Sequence, residues 1–109
     1  MKTNPHLLLT LHLRALNVEL PTHEWRFHEK RKWRFDLCWP RLHLAVEVHG
    51  GVWTNGRHTR GKGFTADREK VNAAVELGWV VFEYTTEQIE SGAAARQLKR
   101  VVESLSALK

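Results

Sequence analysis

The sequence predicts an α/β fold, a mixed β-sheet flanked by helices in the order α-β-β-β-α-β-α. Three observations lead to it. A leucine-rich amphipathic stretch is followed by three short segments in which apolar and polar residues alternate. A helical pattern then separates these from a further apolar strand, and a strand–helix–strand succession permits a parallel pair. Finally, 109 residues with 42% hydrophobic content suffice for one small domain around one core.

Each element has its own signal. Residues 5–17 read as the first helix. Asn4 can cap it and Pro5 suits its first turn. Leu8, Leu9, Leu11, Leu13 and Leu16 supply a broad apolar face. His6, His12 and Arg14 interrupt this stretch and no small-residue cleavage site follows, so it reads as a helix and not a signal peptide. Asn17 is the expected stop, and Pro21 ends the connection. Residues 25–28 form a first strand, and Glu29-Lys30-Arg31 a charged turn. In residues 33–39, Trp33, Phe35, Leu37 and Trp39 alternate with Arg34, Asp36 and Cys38. Pro40-Arg41 turns the chain. In residues 42–49, Leu44, Val46 and Val48 alternate with His43, Ala45, Glu47 and His49.

Gly50-Gly51 closes that strand, and residues 52–64 read as a Gly-, Arg- and His-rich loop. Thr65 is the expected cap of a second helix over 66–77, ended by Gly78. Residues 79–84 form a strand. Thr85 or Thr86 caps a turn toward Glu90, and residues 93–108 form a final amphipathic helix bearing Leu98, Val101, Val102, Leu105 and Leu108. No repeat, linker or low-complexity segment interrupts the chain.

The strand parity places chemistry. A hairpin about Pro40-Arg41 sets Asp36 near Ala45 and diagonal to Glu47, with Leu37 and Val46 on the opposite, apolar face. Asp36, Glu47 and His49 then project to one side of the sheet. A lone carboxylate on a strand is ordinarily a solvated residue. Two on adjacent strands beside a double glycine must share a cation or shift their pKa values. The expected cation is hard and divalent, such as Mg2+, held by Asp36 and Glu47 with a strand carbonyl and waters. Its work would be to activate water and stabilise charge on a scissile phosphate. His49 is placed to act as general base or acid, or to ligate a transition metal. The plainer alternative is a strand-end histidine bonded to a backbone carbonyl.

The remaining candidates are basic or acidic side chains nearby. Arg57, His58, Arg60 and Lys62, among glycines, suit a loop that grips phosphates without reading sequence; a solvated basic loop is the alternative. Asp67, Arg68 and Lys70 open the second helix, and Lys70 could bring an ammonium to the site if that helix packs beside it. Glu24 is a candidate extra acid near Asp36, and Glu19 another; surface roles compete for both. His23, His28 and His43 lack metal-ligand spacing. Trp53 could stack on a base.

Composition narrows the partners. The formal charge is +5 and the pI near 9.8, which favours a polyanion, with nucleic acid the first candidate. No apolar run approaches the about 20 residues of a membrane span, so no membrane partner is expected. Cys38 is the single cysteine. It excludes an intrachain disulfide, fits a reducing, cytoplasmic setting, and reads as a packed side chain.

The stretch from Trp33 to Trp79, with Asp36, then Glu47-Val48-His49, then Asp67 and Lys70, resembles the PD-(D/E)xK nuclease superfamily. It is most similar to small phage and prophage endonuclease-like proteins near the very short patch repair nucleases and DUF559-type domains. The likeness runs over about residues 20–90. His49 stands where the signature has lysine, and Phe35 where it has proline. The resemblance implies a restriction-endonuclease-like αβββαβα core and a bacterial or phage-infected cell. It also implies metal-dependent phosphodiester hydrolysis of DNA, including branched or mismatched DNA in repair or recombination. Asp36 and Glu47 would bind the metal, and His49 or Lys70 would handle the proton. A homodimer would be needed to cut both strands, and the first helix is apolar enough to be its face. The rival expectation is a catalytically weak or inactive DNA-binding module of the same fold.

Overall fold

The computed structural model describes residues 4–50 and 62–108. Its elements are α1 (Pro5–Ala15), β1 (Thr22–Arg26), β2 (Arg34–Trp39), a single 3-10 turn (Pro40–Leu42), β3 (Leu44–His49), α2 (Lys62–Glu76), β4 (Val80–Thr85), α3 (Thr86–Glu90) and α4 (Ala93–Ala107). The four strands form one mixed sheet in the order β1-β2-β3-β4. β1–β2 and β2–β3 are antiparallel, and β3–β4 is parallel across the α2 crossover. The α/β expectation therefore holds for the described residues, with one short helix, α3, where the sequence reads as a turn toward Glu90. None of their helices is long and apolar enough to cross a membrane.

Local chemistry explains the boundaries. The Asn4 side chain accepts from the N–H groups of His6 and Leu7, and Pro5 occupies the first turn of α1. Asn17, at φ 60°, lets the chain leave that helix. Thr85 and Gln88 form a reciprocal capping box at the start of α3. Gly78, at φ 93°, ends the turn after α2. The second helix departs from expectation. It begins at Lys62 and not after Thr65, so Thr65 lies inside it.

The β2–β3 connection also corrects the sequence reading. Pro40–Leu42 form a 3-10 turn and His43 follows in the left-handed region at φ 52°. Four residues, not two, join the strands. The register becomes Leu37↔Val46 and Cys38↔Ala45, so Asp36 faces Glu47 and not Ala45. The slip is two residues, so side-chain faces are preserved; a slip of one would have inverted them.

The sheet separates two apolar clusters. The larger packs Leu37, Trp39, Leu44, Val46 and Tyr84 against Leu9 and Leu13 of α1, Ile89 of α3, and Leu98 and Val102 of α4. The smaller packs Phe35, Cys38 and Ala45 against Ala74 of α2 and Trp79. Cys38 is fully buried there, and burial pushes its thiol up to about 12, as befits a packed side chain. Phe35 had been expected on the same face as Leu37 and Trp39, yet it lies in the α2-side cluster, stacked on Phe27 and tilted against Trp79. The alternation of β2 is thus interrupted next to Asp36. Glu24, opposite Asp36 in the β1–β2 register, has φ 53°, so both strands bend at this point.

Candidate functional site

The bend at Asp36 creates the site. Backbone pairing between β2 and β3 ends at Leu37↔Val46. Beyond it, side chains replace the ladder. The Asp36 N–H donates to Glu47 Oε2 at 2.9 Å, and the Val48 N–H donates to Asp36 Oδ2 at 2.8 Å. Two acids are thereby fixed beside each other by each other's strands. A carboxylate accepting a backbone N–H in a part-buried setting holds its orientation without further support. Asp36 lines the same cleft as Glu47 and His49, as the strand parity predicts, although the alternation of β2 is broken beside it at Phe35. It sits in the gap between the strands, with Oδ2 also 3.6 Å from His6 Nε2 of α1.

Glu47 is buried, at 8% exposure. Burial pushes its carboxyl above the usual carboxylate range, and the nearby Asp36 charge adds to this. The Lys70 ammonium and the Asp36 N–H oppose that rise. Lys70 Nζ donates to Glu47 Oε1. α2 therefore packs beside the acids and delivers a cation to them.

The parallel register sets Glu83 of β4 directly beside Glu47. Glu83 Oε1 accepts from His49 Nε2 at 2.7 Å and from Arg68 at 3.3 Å. A carboxylate only accepts, so the His49 proton at this contact belongs to Nε2. The histidine is held by a side-chain acid rather than by a backbone carbonyl. Asp36, Glu47, Val48, His49, Asp67, Arg68, Lys70, Val71 and Glu83 together line a cleft of about 220 Å³. Asp67, Lys70 and Val71 are spaced to share one face of α2, so helical periodicity explains their presence together.

The structure thus brings Asp36, Glu47, His49 and Lys70 to one cleft. Glu24 is exposed on β1 and is not among the cleft residues. Glu19 is engaged elsewhere, paired with Arg41 at 2.6 Å. His23 contacts Thr10, His28 Nδ1 accepts from the N–H groups of Lys30 and Arg31, and His43 packs edgewise on Trp79. Arg57, His58, Arg60 and Trp53 lie outside the described residues, and of Lys62 only its place at the start of α2 is described.

One cleft residue, Glu83, and one neighbour of Asp36, His6, escaped the sequence reading. Glu83 could have been noticed as a lone acid inside the apolar run 79–84, at even spacing from Val81. His6 carried no such signal, because its approach to Asp36 depends on how α1 packs.

The arrangement is chemically suited to a hard cation. Its oxygens come from carboxylates, and a buried acid there already draws an ammonium. Among the described residues no group of three or more His, Cys, Asp or Glu side chains is set to hold a metal ion. No protein-family model, curated protein or solved structure matches this chain.

Proposed function

We propose that this protein is a metal-dependent endonuclease that hydrolyses phosphodiester bonds in DNA, built on a restriction-endonuclease-like core. The observation that carries this reading is the Asp36–Glu47 pair, locked across the opening between β2 and β3 with Lys70 on Glu47. The resemblance of the sequence to the PD-(D/E)xK nucleases supports the same reading. Asp36 and Glu47 would hold Mg2+ or Mn2+. When bound, that ion would supply an activated water and charge stabilisation at the phosphorus. The two proton-handling candidates are each held by an acid, Lys70 by the proposed metal ligand Glu47 and His49 by Glu83. Cleavage of both strands would call for a homodimer; a single copy would nick.

A second reading, a DNA-binding module without efficient cleavage, draws on the engagement of His49 by Glu83. The two readings separate in one experiment. Labelled four-way junction, flap, mismatched, duplex and single-stranded DNAs are incubated with Mg2+ or Mn2+ and wild-type, Asp36→Ala or Glu47→Ala protein. The nuclease reading expects cutting by wild type, reduced at least about 100-fold in either variant. DNA binding without cutting in any metal would leave the second reading standing.

A further inference from the structure

The cleft cannot attract a polyanion by itself. Four acids line it, Asp36, Glu47, Asp67 and Glu83, against two permanent cations, Arg68 and Lys70. Cations must flank it if a phosphate backbone is to approach. The connection between β1 and β2 supplies them. Residues 26–34 hold five cations, Arg26, Lys30, Arg31, Lys32 and Arg34, and one acid, Glu29. This net +4 compares with +5 for the whole chain.

The segment is built, not loose. The Arg26 guanidinium donates to the carbonyls of Arg31 and Glu29, at 3.1 and 3.4 Å. His28 Nδ1 accepts from the N–H groups of Lys30 and Arg31, at 3.1 and 2.9 Å. Trp33, Phe27 and Phe35 stack in succession, and Phe35 anchors the base in the α2-side cluster. The Arg31 guanidinium lies 4.6 Å from the Trp33 ring centre and 3.9 Å from Glu69 of α2. Glu69 stands between the cleft residues Arg68 and Lys70 in sequence, and Arg34 is two residues from Asp36. Lys30, Lys32 and Arg34 are exposed, and among the described residues none has an ion pair or side-chain hydrogen bond.

We infer that the β1–β2 connection, residues 26–34, is a clamp for the phosphate backbone of duplex DNA beside the acidic cleft, with Lys30, Lys32 and Arg34 as its contacting cations. Its tip, Glu29 to Lys32, is wholly charged. A membrane-binding loop would need an apolar residue to insert, whereas a phosphate backbone needs only charge and a fixed spacing. The inference rests on the nucleic-acid reading above but not on cleavage.

The test is fluorescence anisotropy of a labelled duplex in EDTA over a range of salt. It compares wild type, the triple variant Lys30→Gln, Lys32→Gln, Arg34→Gln, and a charge-matched control, Arg14→Gln, Arg96→Gln, Arg100→Gln, on α1 and α4. The hairpin triple should weaken binding at least about tenfold. It should also flatten the slope of log K against log salt by about 2 to 3, since each lost duplex phosphate contact removes about 0.9. The control should change affinity less than about threefold. The clamp is overturned if the hairpin triple binds as wild type does, if both triples weaken binding alike, or if wild type binds no duplex. It is also overturned if the loss shows only on vesicles of phosphatidylcholine and phosphatidylserine. Duplex binding that depends on the hairpin, with no cutting in any metal, would remove the nuclease reading and keep the clamp.

Discussion

Lys70 and Glu47 show how much depends on one side chain. Glu47 is buried, and its neighbours Asp36 and Glu83 are acids. Removing the ammonium leaves a buried carboxylate with only the Asp36 N–H. Lys70→Met in metal-free buffer should therefore destabilise the fold by about 3 kcal/mol near neutral pH. The sign with pH is fixed by burial. A carboxyl whose native pKa lies above its unfolded value is held more tightly as the acid in the fold. Its penalty is absent below the ordinary carboxylate range and grows as pH rises through the raised value. Urea unfolding of Lys70→Met should thus show a smaller loss at about pH 5 than at about pH 8. The double variant Glu47→Gln, Lys70→Met should recover most of it, because no charge is left buried. An equal loss at both pH values would mean that Lys70 acts through packing of its stem. At this scale the sequence was legible for Asp36, Glu47 and Lys70, because parity and helical spacing carry them. Glu83 stands out as an acid in an apolar run, but its place beside Glu47 was not legible, because the register of a parallel pair is set by how the α2 crossover packs.

Elements were easier to read than their joints. Caps at Asn4 and Thr85, and the positive-φ exits at Asn17 and Gly78, are local chemistry and were visible as residue types. The 3-10 turn at Pro40–Leu42 was not, since Pro-Arg fits several turn types and only the left-handed His43 reveals the longer connection. The bend at Asp36 needed both neighbours of β2 to be in place. The docking of α4 on β4 gives a direct measurement. Tyr84 is the single tyrosine of the chain, buried, and its hydroxyl donates to Gln97 Oε1 of α4 at 2.6 Å. Burial pushes its pKa up to about 12. The native state holds this proton more tightly than the unfolded chain, so the associated stability is intact below about 10 and is lost as pH rises through about 12. Ultraviolet titration of tyrosinate should give a midpoint near 12 in the native protein, falling toward 10 in urea. A native midpoint near 10 would mean that α4 does not cover the ring.

The two faces of the sheet are unequally filled, and this bears on the whole molecule. α1, α3 and α4 bury Leu9, Leu13, Ile89, Leu98 and Val102 on one side, whereas α2 commits Ala74 alone to the smaller cluster on the other. Apolar burial sets how strongly a helix is held, and each large aliphatic side chain contributes about 1.5–3 kcal/mol. α2 should therefore open locally at a lower free energy than α4 or the central strands. Three acids of the cleft, Asp36, Glu47 and Glu83, stand on the strongly held sheet, while Asp67, Arg68 and Lys70 ride on the weakly held helix. A ligand that binds the assembled cleft must stabilise α2 in place, by mass action on the closed form. Native-state hydrogen exchange should show amides of residues 66–76 exchanging through sub-global openings, with those of residues 94–102 exchanging only on global unfolding. Adding duplex DNA should slow the first group by more than the second. Leu98→Ala should cost about 3 kcal/mol and accelerate both groups, because it weakens the common core. If α2 proves as protected as α4 in the free protein, the ion pairs of Lys70 and Arg68 hold the helix more strongly than its packing does. The cleft would then be rigid before any ligand arrives.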